Sequence, residues 1–148
     1  MSEANKEVLD AVMRALELEK ETFDFYTAAA AKTANPAGKR VFQWLARSEE
    51  QHYLKLNELY TSLHTGGRWV FYGGSTITID TADDGADHVD FSTDDRAALQ
   101  IAQDIEQKGI DYFNGLLAKT TDPDGRAMLE KLRDEEQEHL RVIRERMR

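Results

Sequence analysis

Glu49-Glu50-Gln51-His52 and Glu135-Glu136-Gln137-Glu138-His139 decide how this chain is read. Each places a histidine three residues after a glutamate, and the second pair follows the first by 87 positions (49 to 136, 52 to 139). On an α-helix, residues three apart lie ~60° apart around the axis and ~4.5 Å along it, so both side chains leave one face and can reach one point. A single such pair in a glutamate-rich helix says little. Two pairs at a fixed offset ask whether the rest of the chain repeats too.

It does. At the same offset, Asn35-Pro36-Ala37-Gly38-Lys39 matches Asp122-Pro123-Asp124-Gly125-Arg126, and Glu19-Lys20-Glu21-Thr22 matches Glu106-Gln107-Lys108-Gly109. Phe23, Phe25 and Tyr26 match Ile110, Tyr112 and Phe113. Each half reads as helix, turn, helix. Asn35 and Asp122 are good N-caps, and the proline after each suits the first helical position. Ser92 or Thr93 can cap the third helix, with Asp94 and Asp95 favoured in its first turn by the helix dipole. Gly66-Gly67 ends the second. Helices are expected at 3–33, 36–64, 93–119 and 123–146.

The segment between the halves is of another kind. Arg68-Trp69-Val70-Phe71-Tyr72 and Ser75-Thr76-Ile77-Thr78-Ile79 are rich in β-branched and aromatic residues and flank Gly73-Gly74, which is a hairpin signal. Asp80 to Asp90 is acidic and loop-like. The expected fold is therefore all-α: one domain over 1–148, made of helical hairpins 3–64 and 93–146 joined by a long crossover, 65–92, carrying a small β-hairpin. One long crossover between helices two and three is the ferritin-like connection of a four-helix bundle.

Composition sets bounds on function. The 148 residues suit one buried core, and 41% of them are apolar. A net charge of −9 repels phosphate backbones, which argues against nucleic acid as a partner. The absence of cysteine excludes disulfides, thiolate catalysis and iron–sulfur ligation within these residues. The charged stretch from Met1 to Glu21 has no signal-peptide apolar run, and no segment approaches the ~20 apolar residues of a membrane span. A soluble, cytoplasmic protein is the expectation.

Each helix carries an apolar stripe at steps of three and four. The stripes run Leu9, Val12, Leu16, Glu19, Phe23, Tyr26, Ala30; then Phe42, Leu45, Glu49, His52, Leu56, Leu59, Leu63; then Leu99, Ala102, Glu106, Gly109 or Ile110, Phe113, Leu116; then Leu129, Leu132, Glu136, His139, Ile143. Every stripe is broken near its middle by a glutamate, and two add a histidine. A buried, unpaired carboxylate is strongly unfavourable, and four together would repel or take up protons. Two divalent cations remove the difficulty. Four carboxylates, two neutral imidazoles and two M²⁺ ions sum to zero charge.

The other polar residues have plainer readings. Glu17, Glu21, Glu50, Glu135 and Glu138 fall off the stripes and are expected to face solvent. His64 sits near a helix end, and His88 lies in the acidic loop. Tyr26 and Tyr53, on or beside the stripes, read first as core tyrosines satisfied elsewhere, with a bond to a metal-bound carboxylate as the alternative. Trp44 and Trp69 read as packing residues.

The set of motifs resembles the rubrerythrin family across all four helices. The resembling stretches are Glu19-Lys20-Glu21-Thr22-Phe23-Asp24-Phe25-Tyr26, Glu49-Glu50-Gln51-His52 and Glu135-Glu136-Gln137-Glu138-His139. The resemblance implies Glu19, Glu49, His52, Glu106, Glu136 and His139 as ligands of two iron ions, with manganese or a mixed pair also suited to such donors. The chain departs from full-length rubrerythrins in lacking a rubredoxin-like C-x-x-C module. Gly109 stands one turn after Glu106, where some rubrerythrins carry a further glutamate.

The implied function is a di-iron oxidoreductase acting on hydrogen peroxide or dioxygen, with an external electron-donor protein to restore the iron. Two alternatives stand beside it. One is a metal-binding protein without turnover, handling or buffering iron. The other is an interaction module without metal, supported by the apolar strand Trp69 to Tyr72. That strand is expected to pack on the bundle or to pair across a homodimer.

Overall fold

A computed structural model describes residues 3–75 and 93–147. They form four helices: α1 Glu3–Lys32, α2 Pro36–Gly66, α3 Thr93–Lys119 and α4 Pro123–Arg146. The helices begin where the sequence caps them. The Asn35 side chain accepts from Ala37 N at 2.9 Å and Gly38 N at 3.3 Å. Asp122 accepts from Asp124 N at 2.9 Å and Gly125 N at 3.2 Å. α2 runs two residues past its expected end and stops at Gly67, whose left-handed φ of 69° lets its N–H reach Leu63 O. No described helix is long and apolar enough to cross a membrane.

α1 packs along α2 and α3 along α4, so the two sequence repeats become two helical hairpins of one bundle. The core has two apolar clusters. One gathers Tyr26, Val41, Phe42, Leu45, Leu99, Ala102 and Ile143. The other gathers Val12, Leu16, Leu56, Leu59, Phe113, Met128, Leu129 and Leu132. Burial of each large side chain among these stabilises the fold by roughly 1.5–3 kcal/mol. On every helix the expected ligand positions fall between the two clusters, so apolar packing on both sides holds a polar layer in the middle.

The described part of the crossover departs from the expected hairpin. Arg68–Tyr72 is not a strand among the described residues, and all of its expected partner except Ser75 lies outside them, as do Ser92 and His88. The segment spends its polar groups on the helices instead. Ser62 Oγ of α2 donates to Arg68 O at 2.8 Å, and Ser75 N donates to Glu135 Oε2 of α4 at 2.8 Å. Trp69 lies so close to α4 that a Cβ on Gly125 would stand 2.6 Å from its ring. Tyr72 is buried against the second cluster, whereas Phe71 is 83% exposed. Packing on the bundle, expected for this segment, holds for Trp69, Val70 and Tyr72.

Candidate metal centre

All six residues that interrupt the stripes meet in that middle layer. Glu19 comes from α1, Glu49 and His52 from α2, Glu106 from α3, and Glu136 and His139 from α4; none is more than 4% exposed. Their donor atoms fall into two groups, Glu19, Glu49, His52, Glu136 and Glu49, Glu106, Glu136, His139. Within each group one donor atom per residue lies within 4.8 Å of every other. Glu49 and Glu136 belong to both. The two groups could hold two neighbouring cations, with Glu49 and Glu136 common to both and one glutamate and one histidine particular to each.

The hairpins are cross-linked through this layer. His52 Nδ1 of the first lies 2.9 Å from Glu136 Oε1 of the second, and His139 Nδ1 lies 2.9 Å from Glu49 Oε1. The two rings stack nearly parallel, at 14° with centroids 5.8 Å apart. Both Nδ1 atoms face the carboxylates and both Nε2 atoms face outward. His52 Nε2 meets Glu135 Oε1 at 3.1 Å; His139 Nε2 meets Ser48 Oγ at 2.8 Å. Tyr26 donates to Glu106 Oε1 at 2.6 Å.

Burial and mutual proximity shift the proton affinities of these groups. Burial, then the Glu49 charge, push the Glu19 carboxyl well above the usual carboxylate range. Burial, then the charges of Glu106, Glu19 and Glu49, do the same to Glu136. Burial opposes a charged His52, but hydrogen bonds to Glu135, Glu136 and Glu19 outweigh it and raise the imidazole well above its ordinary value. His139 likewise rises to about 10, with burial overcome by the Glu106 charge and by bonds to Glu106 and Glu49. Burial also opposes ionised Glu49, yet its neighbours Glu19, His139 and His52 hold it well below the usual range.

The residues fit such cations. Among the described residues, Glu49 Oε2 and Glu106 Oε2 are buried with no hydrogen-bond partner, which is rare for a carboxylate oxygen unless a ligand completes it. Carboxylate and imidazole together suit iron or manganese. A cavity of about 240 Å³ opens between α1 and α3 against Glu19 and Glu136, with apolar Leu18, Ile105 and Phe113 in its wall.

Two neighbours of the layer, Glu135 and Tyr26, differ from their first expected roles, and a third, Ser48, carried no expectation. Glu135, expected in solvent, is half-buried: it binds His52, accepts from Tyr72 OH and accepts from Ser75 N. Burial opposes its charge, but bonds from His52 and Tyr72 hold it down at about 2. Tyr26 takes the alternative role, bonding a ligand carboxylate. Ser48 was not singled out by the stripes. The signal available for Glu135 and Ser48 is position alone: each directly precedes a shared glutamate.

Fold and site together define a ferritin-like four-helix bundle with a candidate dinuclear carboxylate–histidine centre. The model of the rubrerythrin family matches residues 10–147, and the chain belongs to that family. A solved structure of a hypothetical protein from Pyrococcus furiosus shares the fold, with a TM-score of 0.74 and 21% identity, covering 99% of this chain and 91% of that one. Comparison with curated proteins gives no match.

Proposed function

We propose that this chain is a di-iron oxidoreductase that reduces hydrogen peroxide. The observation that carries the reading is the pair of donor groups sharing Glu49 and Glu136, with the cavity opening directly onto Glu136 and Glu19. When bound, two ferrous ions supply the electrons of H₂O₂ + 2e⁻ + 2H⁺ → 2H₂O, and an external donor protein restores them.

The chain's own residues supply position, access and dryness. Glu49 and Glu136, from opposite hairpins, would serve both sites, and His52 and His139 would each offer Nδ1 to one site beside a shared carboxylate. Gly109 keeps the route open, since a Cβ there would stand 3.3 Å from Glu136 Oε2. A cavity of about 240 Å³ exceeds several-fold the ~30 Å³ share of a water molecule, so peroxide enters without displacing a side chain. Exposed Arg14, Glu21 and Lys108 surround its mouth, and the apolar wall inside limits bulk water around the layer. Tyr26 keeps its proton, because burial and the Glu106 charge raise its hydroxyl well above the usual range, and so continues to hold Glu106 as a donor.

Stopped-flow oxidation of the anaerobically prepared diferrous protein tests the proposal. Hydrogen peroxide is expected to oxidise it faster than dioxygen, and a reductant is expected to return it for further cycles. Equal or faster oxidation by dioxygen would make it an oxidase or ferroxidase. A diferric product that no donor can reduce would make it an iron-handling protein without turnover.

A further inference from the structure

Ser48 and Glu135 occupy the same place in the internal repeat, at the same offset that relates the ligands (48 to 135). Each touches the outward nitrogen of the histidine from the other hairpin: Ser48 Oγ on His139 Nε2 at 2.8 Å, Glu135 Oε1 on His52 Nε2 at 3.1 Å. With Nδ1 turned to the carboxylates and available to a cation, the ring proton belongs on Nε2, which then donates outward. The acceptor is a neutral hydroxyl for one histidine and a carboxylate for the other. A carboxylate acceptor makes the stronger, charge-assisted bond and raises the basicity of the ring as a ligand.

The crossover builds this inequality. Glu135 is fixed at both oxygens: Tyr72 OH donates to Oε1, and Ser75 N donates to Oε2 at 2.8 Å. Each histidine has an edge-on aromatic neighbour, Tyr72 against His52 at 5.7 Å and Trp44 against His139 at 5.2 Å, so the inequality lies in the hydrogen bonds and not in the ring contacts. Among the described residues Ser48 has no comparable anchor; its bond to His139 stands alone.

We propose that the crossover is a positioning arm for one cation site: through Tyr72, Ser75 and Glu135 it orients His52 and makes the Glu19–His52 site bind a divalent cation more tightly than the Glu106–His139 site. This rests on the reading of the layer as a dinuclear centre. Tyr72, Ser75 and Glu135 are positioning residues, since they act through the imidazole.

Anaerobic titration of the full metal-free chain with Co²⁺, followed by absorption and calorimetry, tests it. The parent is expected to fill in two steps. Glu135→Ser, which copies the Ser48 arrangement, is expected to weaken the first step by roughly 10–100-fold and leave the second in place. Tyr72→Phe is expected to move the first step in the same direction by less, and Glu135→Asp to restore part of it. In the Co²⁺-loaded parent the two imidazole N–H protons should give separate paramagnetically shifted resonances. Glu135→Ser should move one of them toward the other, an effect that a change of overall stability does not produce. Two ions binding in one unresolved step, or a Glu135→Ser variant weakened equally in both steps, overturns the proposal while leaving the centre intact. A chain that takes up no Co²⁺ overturns the centre itself and the proposal with it.

Discussion

The two helical hairpins, α1–α2 and α3–α4, are alike where the layer needs charge balance and unlike one shell further out. Glu19 and Glu106, Glu49 and Glu136, His52 and His139 are paired by the repeat, buried to the same degree and arranged so that each histidine reaches the other hairpin's shared glutamate. Around them the halves diverge. Tyr26 bonds Glu106, while its counterpart Phe113 has no hydroxyl to offer Glu19. Thr22 stands in the repeat where the second hairpin has Gly109, whose missing Cβ leaves room beside Glu136. Ser48 answers to Glu135. The difference teaches where the constraint lies. Six inward polar groups must balance together, so none can change alone, whereas a neighbour that only tunes one of them can.

If the shared carboxylates are equivalent, they should fail equivalently. Glu49→Ala and Glu136→Ala are each expected to cost both ions, whereas Glu19→Ala and Glu106→Ala each leave the opposite site's donors in place. Metal analysis of the four variants reads this directly, and loss of only one ion on Glu49→Ala breaks the symmetry. Removal of metal should loosen the two hairpins together. A cation at 100 times its dissociation constant stabilises by about 2.7 kcal/mol, which in a domain of this size is roughly 5–10 °C of melting temperature. A calorimetric melt unmoved by chelation would mean that protons alone suffice to balance the layer.

The unlike positions should give smaller, one-sided effects. Tyr26→Phe removes a buried bond to a carboxylate and is expected to lower stability by about 1.5–3 kcal/mol in chemical denaturation. The caps bring the comparison back to likeness. Asn35→Ala and Asp122→Ala should each cost about 1 kcal/mol, and a large disparity between them would show that the turns are not equivalent.

Much of this was legible in the sequence because the signals were local or periodic. Asn35-Pro36 and Asp122-Pro123 announce their helix starts through side-chain chemistry within three residues. The six candidate ligands stand out because a charge on an apolar stripe has no ready structural explanation. Glu135 was illegible for the complementary reason. It lies off the stripe of α4, and its burial depends on Tyr72 and Ser75 folding over it from about 60 residues away, a tertiary contact that no helical period encodes. The crossover misled in the same way. In its described part, Arg68–Tyr72, the aromatic residues fit a strand by propensity, but Trp69 and Tyr72 pack on the bundle, and propensity yields to packing.

Anomalous diffraction at the iron edge, from crystals grown anaerobically with ferrous iron, tests the centre most directly. Two peaks are expected, one among Glu19, Glu49, His52 and Glu136 and one among Glu49, Glu106, Glu136 and His139. Solvent alone in that layer, with the carboxyl groups paired to each other and to the histidines, would contradict it.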